Sequence, residues 1–233
     1  MLGHTIIAGE TPSGGATSNP VWTAGGATSY AQLLTGTALE LVSSSANDAS
    51  GGTGARTVRV KGLDANYNPF EEVVTLNGTT PVALANTSVI AINKLKVVTA
   101  GSGGVNAGTI TCRTVSGSVT KSSIGGANFS NQSQDFIYTV PANTYGLLKH
   151  IDVYASGLTG NLQAFLRTFD SNGIVAVEAC GQCSLSNTGF ADGRIQMKFG
   201  NGLYIPQKTL IVLNCIVSAG TAVVSAIGEI ELQ

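Results

Sequence analysis

Arg56-Thr57-Val58-Arg59-Val60-Lys61-Gly62-Leu63-Asp64-Ala65-Asn66-Tyr67-Asn68-Pro69-Phe70-Glu71-Glu72-Val73-Val74-Thr75-Leu76-Asn77-Gly78 reads as two strands and two turns. From Arg56 to Lys61 the residues alternate, with Val58 and Val60 on one face and Thr57, Arg59 and Lys61 on the other. Period two marks a half-buried strand, because successive side chains of an extended chain point to opposite faces. Asp64 to Pro69 collects turn formers: Asn and Asp bond their own backbone, and Pro fixes φ. Glu71 to Leu76 extends again. Asn77-Gly78 predicts a tight hairpin, since both residues tolerate positive φ. Nothing in this unit has the shape of a catalyst. It is scaffold, and the rest of the chain repeats its grammar.

The 233 residues allow one large domain or two small ones. Hydrophobic residues make up 43%, enough for a full core. Charged residues make up only 11%, against roughly 25% in an average soluble chain. The surface is therefore polar but nearly uncharged. That suits an extracellular β protein, or a subunit covered by neighbours, where buried charge would be costly. A net charge of −1 supplies no basic field for nucleic acid, so none is expected as a partner. No segment approaches the ~20 continuous apolar residues of a membrane span, and none is expected. Met1 to Ala8 lacks the basic start and long apolar run of a secretion signal. Asn-X-Ser/Thr sequons begin at Asn77, Asn86, Asn128 and Asn131, and read as chance matches in a chain rich in these residues.

Residues 1–38 read as an extended N-terminal arm. Gly14-Gly15-Ala16-Thr17-Ser18 recurs as Gly25-Gly26-Ala27-Thr28-Ser29, and such a segment cannot bury enough apolar surface to fold alone. It would order by lying on a neighbouring subunit, with Trp22, Tyr30, Leu33 and Leu34 as anchors. Residues 39–117 read as a first antiparallel β-sandwich. Val115 to Asn128, rich in Ser and Gly, reads as a linker. Residues 118–233 read as a second, jelly-roll-like sandwich, with Leu162 to Phe169 and Ile174 to Cys180 flanking a turn at Asp170-Ser171-Asn172-Gly173. No stretch has the caps and period of an amphipathic helix. The fold class is all-β, as two tandem sandwiches behind an arm.

Catalytic patterns fail on spacing or context. Ser118-Val119-Thr120-Lys121 fits S-x-x-K but lies in the linker, with no companion motif. Glu71 and Glu72 are adjacent in a strand, so they face opposite ways and cannot flank one glycosidic bond. His150 has no placed partner in the sequence. Of the four cysteines, Cys112 and Cys215 read as small core residues, while Cys180 and Cys183 end a strand and begin a loop. The C-x-x-C spacing lacks the second ligand pair of a structural zinc site and the βαβ setting of a redox motif. No cofactor, no metal and no enzymatic activity are expected. Arg56, Arg59 and Lys61 share a face that could meet an acidic partner, or simply guard a strand edge.

Two stretches resemble structural proteins of tailed-bacteriophage virions. Leu41 to Asp48, Gly52 to Arg56, Gly62 to Tyr67 and Leu76 to Val82 are similar to an uncharacterised virion family common in aquatic phages. Tyr138 to Asn143, Ile205 to Thr209 and Gly228 to Leu232 are similar to jelly-roll domains of phage head and tail accessory proteins. The resemblance implies a non-enzymatic particle protein, assembled in the host cytoplasm as a homo-oligomer, with a trimer expected by analogy. It would be a head decoration (cement) subunit contacting major capsid or tail proteins. The alternative is a tail fibre or receptor-binding module whose loops, Gly157 to Asn161 and Ser184 to Asp192, grip a host surface glycan. The family carries no catalytic residues to transfer.

Overall fold

The computed structural model describes residues 3–11, 19–22, 30–115, 117, 119–127, 129–158, 160–183, 191–218 and 222–233. Its strands are β1 (Gly3–Thr11), β2 (Asn19–Pro20), β3 (Leu39–Ser43), β4 (Ala55–Asp64), β5 (Pro69–Thr75), β6 (Val82–Ala83), β7 (Val89–Ala100) and β8 (Ile110–Thr114). They continue with β9 (Thr120–Ile124), β10 (Ile137–Thr139), β11 (Gly146–Leu158), β12 (Leu162–Phe169), β13 (Val175–Cys183), β14 (Ala191–Ile205), β15 (Leu210–Val217) and β16 (Val223–Leu232). The described residues are all-β, and every strand pair is antiparallel.

The chain forms two units, and they are nested rather than in tandem. One joins Met1–Tyr30 to Asp135–Gln233; the other is Ala31–Gln134. This redraws the boundaries expected at 38 and 117. The arm is not a separate element. Its first stretch is β1, which pairs with β16 without a break from Gly3↔Leu232 to Thr11↔Val224. The glycine-rich repeats hid this strand, although Thr5-Ile6-Ile7-Ala8 is extended in character.

In the split unit one sheet runs β1-β16-β11-β14 and the other β10-β15-β12-β13, with β2 added to β15. Numbered among themselves, β1 and β10 to β16 are eight strands in the orders 1-8-3-6 and 2-7-4-5. That alternation between two sheets is the wiring of a jelly roll. Its first strand comes from the N-terminus, and the other unit is inserted in sequence between its first and second strands. The core between the sheets includes Phe136, Leu148, Ile151, Val153, Leu213 and Ile230, all buried. Phe136 fixes the backbone nearby: a Cβ at Gly9 would collide with its amide nitrogen, and one at Gly228 with its ring. The outer face of the second sheet is covered by the chain itself. Trp22 and Tyr30 meet edge to face, 5.6 Å between ring centres, over Ile137, Leu210 and Val212.

The inserted unit packs the sheet β6-β3-β8-β9 on the sheet β5-β4-β7. The β4–β5 hairpin forms as the alternation predicts, with Val58 and Val60 fully buried. Asp64 Oδ1 organises its turn, accepting from the amides of Asn66 (2.8 Å) and Asn68 (2.9 Å). The Asn77-Gly78 turn is present, with Gly78 at φ 61°, but it does not close a hairpin. It carries the chain from β5 into the other sheet, where β6 pairs with β3. The expected linker contains β9, the fourth strand of that sheet. It escapes a hydrophobicity reading because its buried residues include Lys121, Ser122 and Ser123.

Two buried polar groups hold this unit. The carboxylate of Asp48, fully buried, accepts from Ser43 Oγ (2.5 Å) and from the amides of Ala55 (2.7 Å), Ala107 (2.8 Å) and Gly108 (2.9 Å). It ties the loops after β3, before β4 and before β8 to one point. Lys121, 1% exposed, donates from Nζ to the Ala31 carbonyl. Burial pulls its pKa down to about 8, against a smaller opposing effect of the neighbouring Cys112. Burial likewise pushes the Cys112 thiol far up, which makes it inert as a nucleophile.

Two outcomes are expected. Asp48→Ala strands the amides of Ala55, Ala107 and Gly108, two of them buried, and should cost about 3 to 5 kcal/mol in urea unfolding, while Ser43→Ala costs about 1. Because the folded state disfavours protonated Lys121, the unfolded chain binds more protons between about pH 8 and about 10.5. Stability should therefore rise with pH across that window, and Lys121→Met should abolish this part of the rise in parallel denaturation curves.

Candidate functional site

The face most open to a partner is the outer side of the sheet β1-β16-β11-β14. Its inner side is core, so period two sends alternate residues outward. Register places them in rows. Ile6, Glu229, His150 and Lys198 form one row, and Ala8, Ile227, Asp152 and Gln196 the next. Glu10, Ser225, Tyr154 and Arg194 form a third. Glu231, Leu147 and Tyr204 lie across the end nearest the chain's last residue, and Val223 and Ser156 across the other end.

Several exposed apolar side chains lie here. Ile6 is 65% exposed and Tyr204 59%, and Tyr145, Tyr154, Val223 and Ile227 are each about two-fifths exposed. The chain has six tyrosines. Three of them, Tyr30, Tyr67 and Tyr138, are buried, and the other three all project from this one face. Tyr145 and Tyr204 form a pair with ring centres 5.4 Å apart and planes tilted by 38°. Exposed aromatic side chains gathered on one face point to an interaction surface.

A polar network runs between the apolar groups. Asp152 Oδ1 accepts from Arg194 Nη2 at 2.9 Å and from Gln196 Nε2 at 2.8 Å. The Arg194 guanidinium lies 5.2 Å from the centre of the Tyr154 ring, a cation–π contact. His150 stands between two carboxylates, Nε2 3.9 Å from Asp152 Oδ2 and Nδ1 3.9 Å from Glu229 Oε2. Lys149 bulges out of β11 and reaches Glu231 at 3.1 Å. Burial alone would raise the Asp152 pKa, but the hydrogen bonds from Arg194 and Gln196, with the charges of Arg194 and His150, hold it below the usual carboxylate range. The acids Asp152, Glu229 and Glu231 each lie within 4 Å of a basic side chain. Among the described residues no group of three or more His, Cys, Asp or Glu is placed to hold a metal ion.

The residues singled out from sequence fall elsewhere. Trp22 and Tyr30 are spent on the chain's own second jelly-roll sheet. Leu33 packs partly against the inserted unit's core, and Leu34 stays 55% exposed. Arg56 donates from Nε to the Gly52 carbonyl at 3.1 Å. Arg59 meets Glu71 at 2.9 Å across the hairpin, with Lys61 on the same carboxylate at 3.2 Å. Glu72 points the other way and accepts from the amides of Ala85 and Asn86. Cys112 and Cys215 are buried in β8 and β15. The backbone of Cys180 and Cys183 lies in β13, but their side chains fall outside the described residues, as does most of the Ser184 to Asp192 loop. The outer face was missed because its members come from residues 6 to 10, 145 to 156, 194 to 204 and 223 to 231. Period two was legible in each segment, but the register that joins them was not.

No protein-family model matches the chain, and no curated protein matches it. Among solved structures, that of infectious bursal disease virus Gt strain aligns over 97% of this chain and 66% of its own, at 12% identity and a TM-score of 0.26. The crystal structure of the infectious bursal disease virus VP2 subviral particle aligns over 98% of this chain and 72% of its own, at 12% identity and a TM-score of 0.21. Scores this low fall short of a shared fold.

The network makes a directional prediction. A carboxylate with a lowered folded pKa contributes stability above its unfolded value, ~3.9, and loses it as pH falls through the folded one. Arg194→Ala should move the Asp152 carboxyl titration, followed by carbon NMR, to higher pH. The stability gap between wild type and this variant should be fully open at pH 6 and closed in strong acid.

Proposed function

We propose that this chain is a non-enzymatic structural subunit of a virus particle, a decoration or other accessory protein of a bacteriophage head. The exposed Tyr- and Ile-bearing face of the β1-β16-β11-β14 sheet carries the reading. That face gathers the exposed tyrosines of a chain only 11% charged, and aromatic residues and Arg are enriched where protein surfaces are covered. The jelly-roll wiring agrees by analogy, since viral capsid domains use it, though lectins and other domains do too. The resemblance of Leu41 to Val82 to phage virion proteins points the same way. Function would follow from burial: each subunit bound to folded neighbours stabilises them by mass action. The major capsid or tail proteins of the same particle, and further copies of the chain, are the partners this implies.

A second reading rests on one observation. The exposed Tyr145–Tyr204 pair lies beside Glu231, Lys149 and Gln233. Aromatic faces flanked by planar polar groups suit a host surface glycan, as a tail fibre or receptor-binding subunit would need.

Mass spectrometry of purified particles from cells expressing the encoding genome should recover this chain in stoichiometric amount. Its absence would refute the particle reading. A glycan array with wild type and Tyr204→Ala decides the second reading, which requires hits that the variant loses.

A further inference from the structure

We infer that the outer face of the β1-β16-β11-β14 sheet docks on the same face of a second copy, about a two-fold axis parallel to β11 and β16. The inference does not depend on the particle reading. It follows from how charge is divided across the face. The β1–β16 half presents Glu10 and Glu229, while its third acid, Glu231, is as buried as Asp152 and held by Lys149 and Gln233. The β11–β14 half presents His150, Lys149, Arg194 and Lys198, and its one acid, Asp152, is 8% exposed and held by Arg194 and Gln196.

Two symmetric ways of stacking this face on itself keep the strands aligned, and they differ in sign. An axis perpendicular to the strands leaves each strand over its own copy and reverses the rows. Arg194 then faces Lys198 of the second copy, a repulsive pairing. An axis parallel to the strands keeps the rows and exchanges the halves. Glu10 then faces Arg194 of the second copy, Glu229 faces His150, and Ser225 faces Tyr154. Each contact occurs twice, as a two-fold interface requires. Aligned packing of sheets about 10 Å apart is a standard arrangement for two extended faces.

The area is sufficient. Four strands about 4.8 Å apart and five rows about 6.8 Å apart span roughly 19 by 34 Å, which is about 650 Å² per copy and about 1,300 Å² in total. That lies within the range of specific complexes. Ile227 and Tyr154 add apolar surface between the charged margins, and Ile6 adds it at the margin facing the Lys198 stem of the second copy; like-charge mismatch would select against other orientations.

The test is a charge exchange on the full chain, read by sedimentation velocity with circular dichroism as the folding control. Wild type should be a dimer at tens of micromolar. Glu10→Arg alone and Arg194→Glu alone should each weaken self-association at least about tenfold, because each creates two like-charge contacts. Mixing the two single variants, one of them tagged, should restore a dimer that contains one copy of each, since both contacts are then opposite in sign. Tyr154→Ala, which leaves the charges in place, should weaken the wild-type dimer. A monomer or a trimer for wild type, single variants that dimerise undiminished, an undiminished Tyr154→Ala dimer, or a mixture that stays monomeric would each overturn the inference. None of these results would decide whether the chain is found in particles.

Discussion

The pairing of β1 with β16 is the constraint on which the architecture rests. It joins the ends of the chain through nine register pairs, and without it the jelly-roll sheet β16-β11-β14 would lose an edge strand and leave Ile7 outside the core it helps to fill. Its consequences reach further than the strand. Once β1 is fixed, β2 is brought to β15, and Trp22 and Tyr30 land on the far sheet over Val212 and Leu210. The segment that looks least structured in composition is therefore bonded at both of its described ends. Phe136, wedged against Gly9 and Gly228, couples this closure to the first strand after the insertion.

The two units solve the same problem with different materials. The jelly roll relies on a wide apolar core and leaves its polar groups on one open face. The inserted unit is smaller, and it uses buried polar groups as fixed points: Asp48 gathers four donors from loops far apart in sequence, and Lys121 crosses to the Ala31 carbonyl. Each donor given to Asp48 is satisfied at the cost of desolvating a carboxylate, so the arrangement gives more in fixed geometry than in net stability. A chain with so few ionised groups spends several of them inside.

Local pattern was legible and long-range register was not. The alternation of Arg56 to Lys61 placed Val58 and Val60 in the core, and the Asp170-Ser171-Asn172-Gly173 turn joins β12 to β13 as its composition implies. The reading failed where side-chain chemistry and burial disagree. β9 looks like a linker because Lys121, Ser122 and Ser123 are polar, yet all three are buried. It also failed where glycine content drowned a short strand, as at β1, and where a turn links two sheets rather than two neighbouring strands, as at Gly78. The open face needed four segments to be aligned before its tyrosines and charges could be seen together. No window of the sequence contains that information.

The nesting of one unit inside the other imposes an order on synthesis. The first strand of the jelly roll leaves the ribosome before the whole inserted unit, but its hydrogen-bonding partner, β16, follows the strands of both units. The intervening unit, Ala31–Gln134, has all of its strands available while β1 still waits. A nascent chain therefore carries an unsatisfied, partly apolar strand until Val223–Leu232 has been made. The more of its length that stays shielded by chaperones, the lower the yield of misjoined copies in which one chain's first strand completes another chain's sheet.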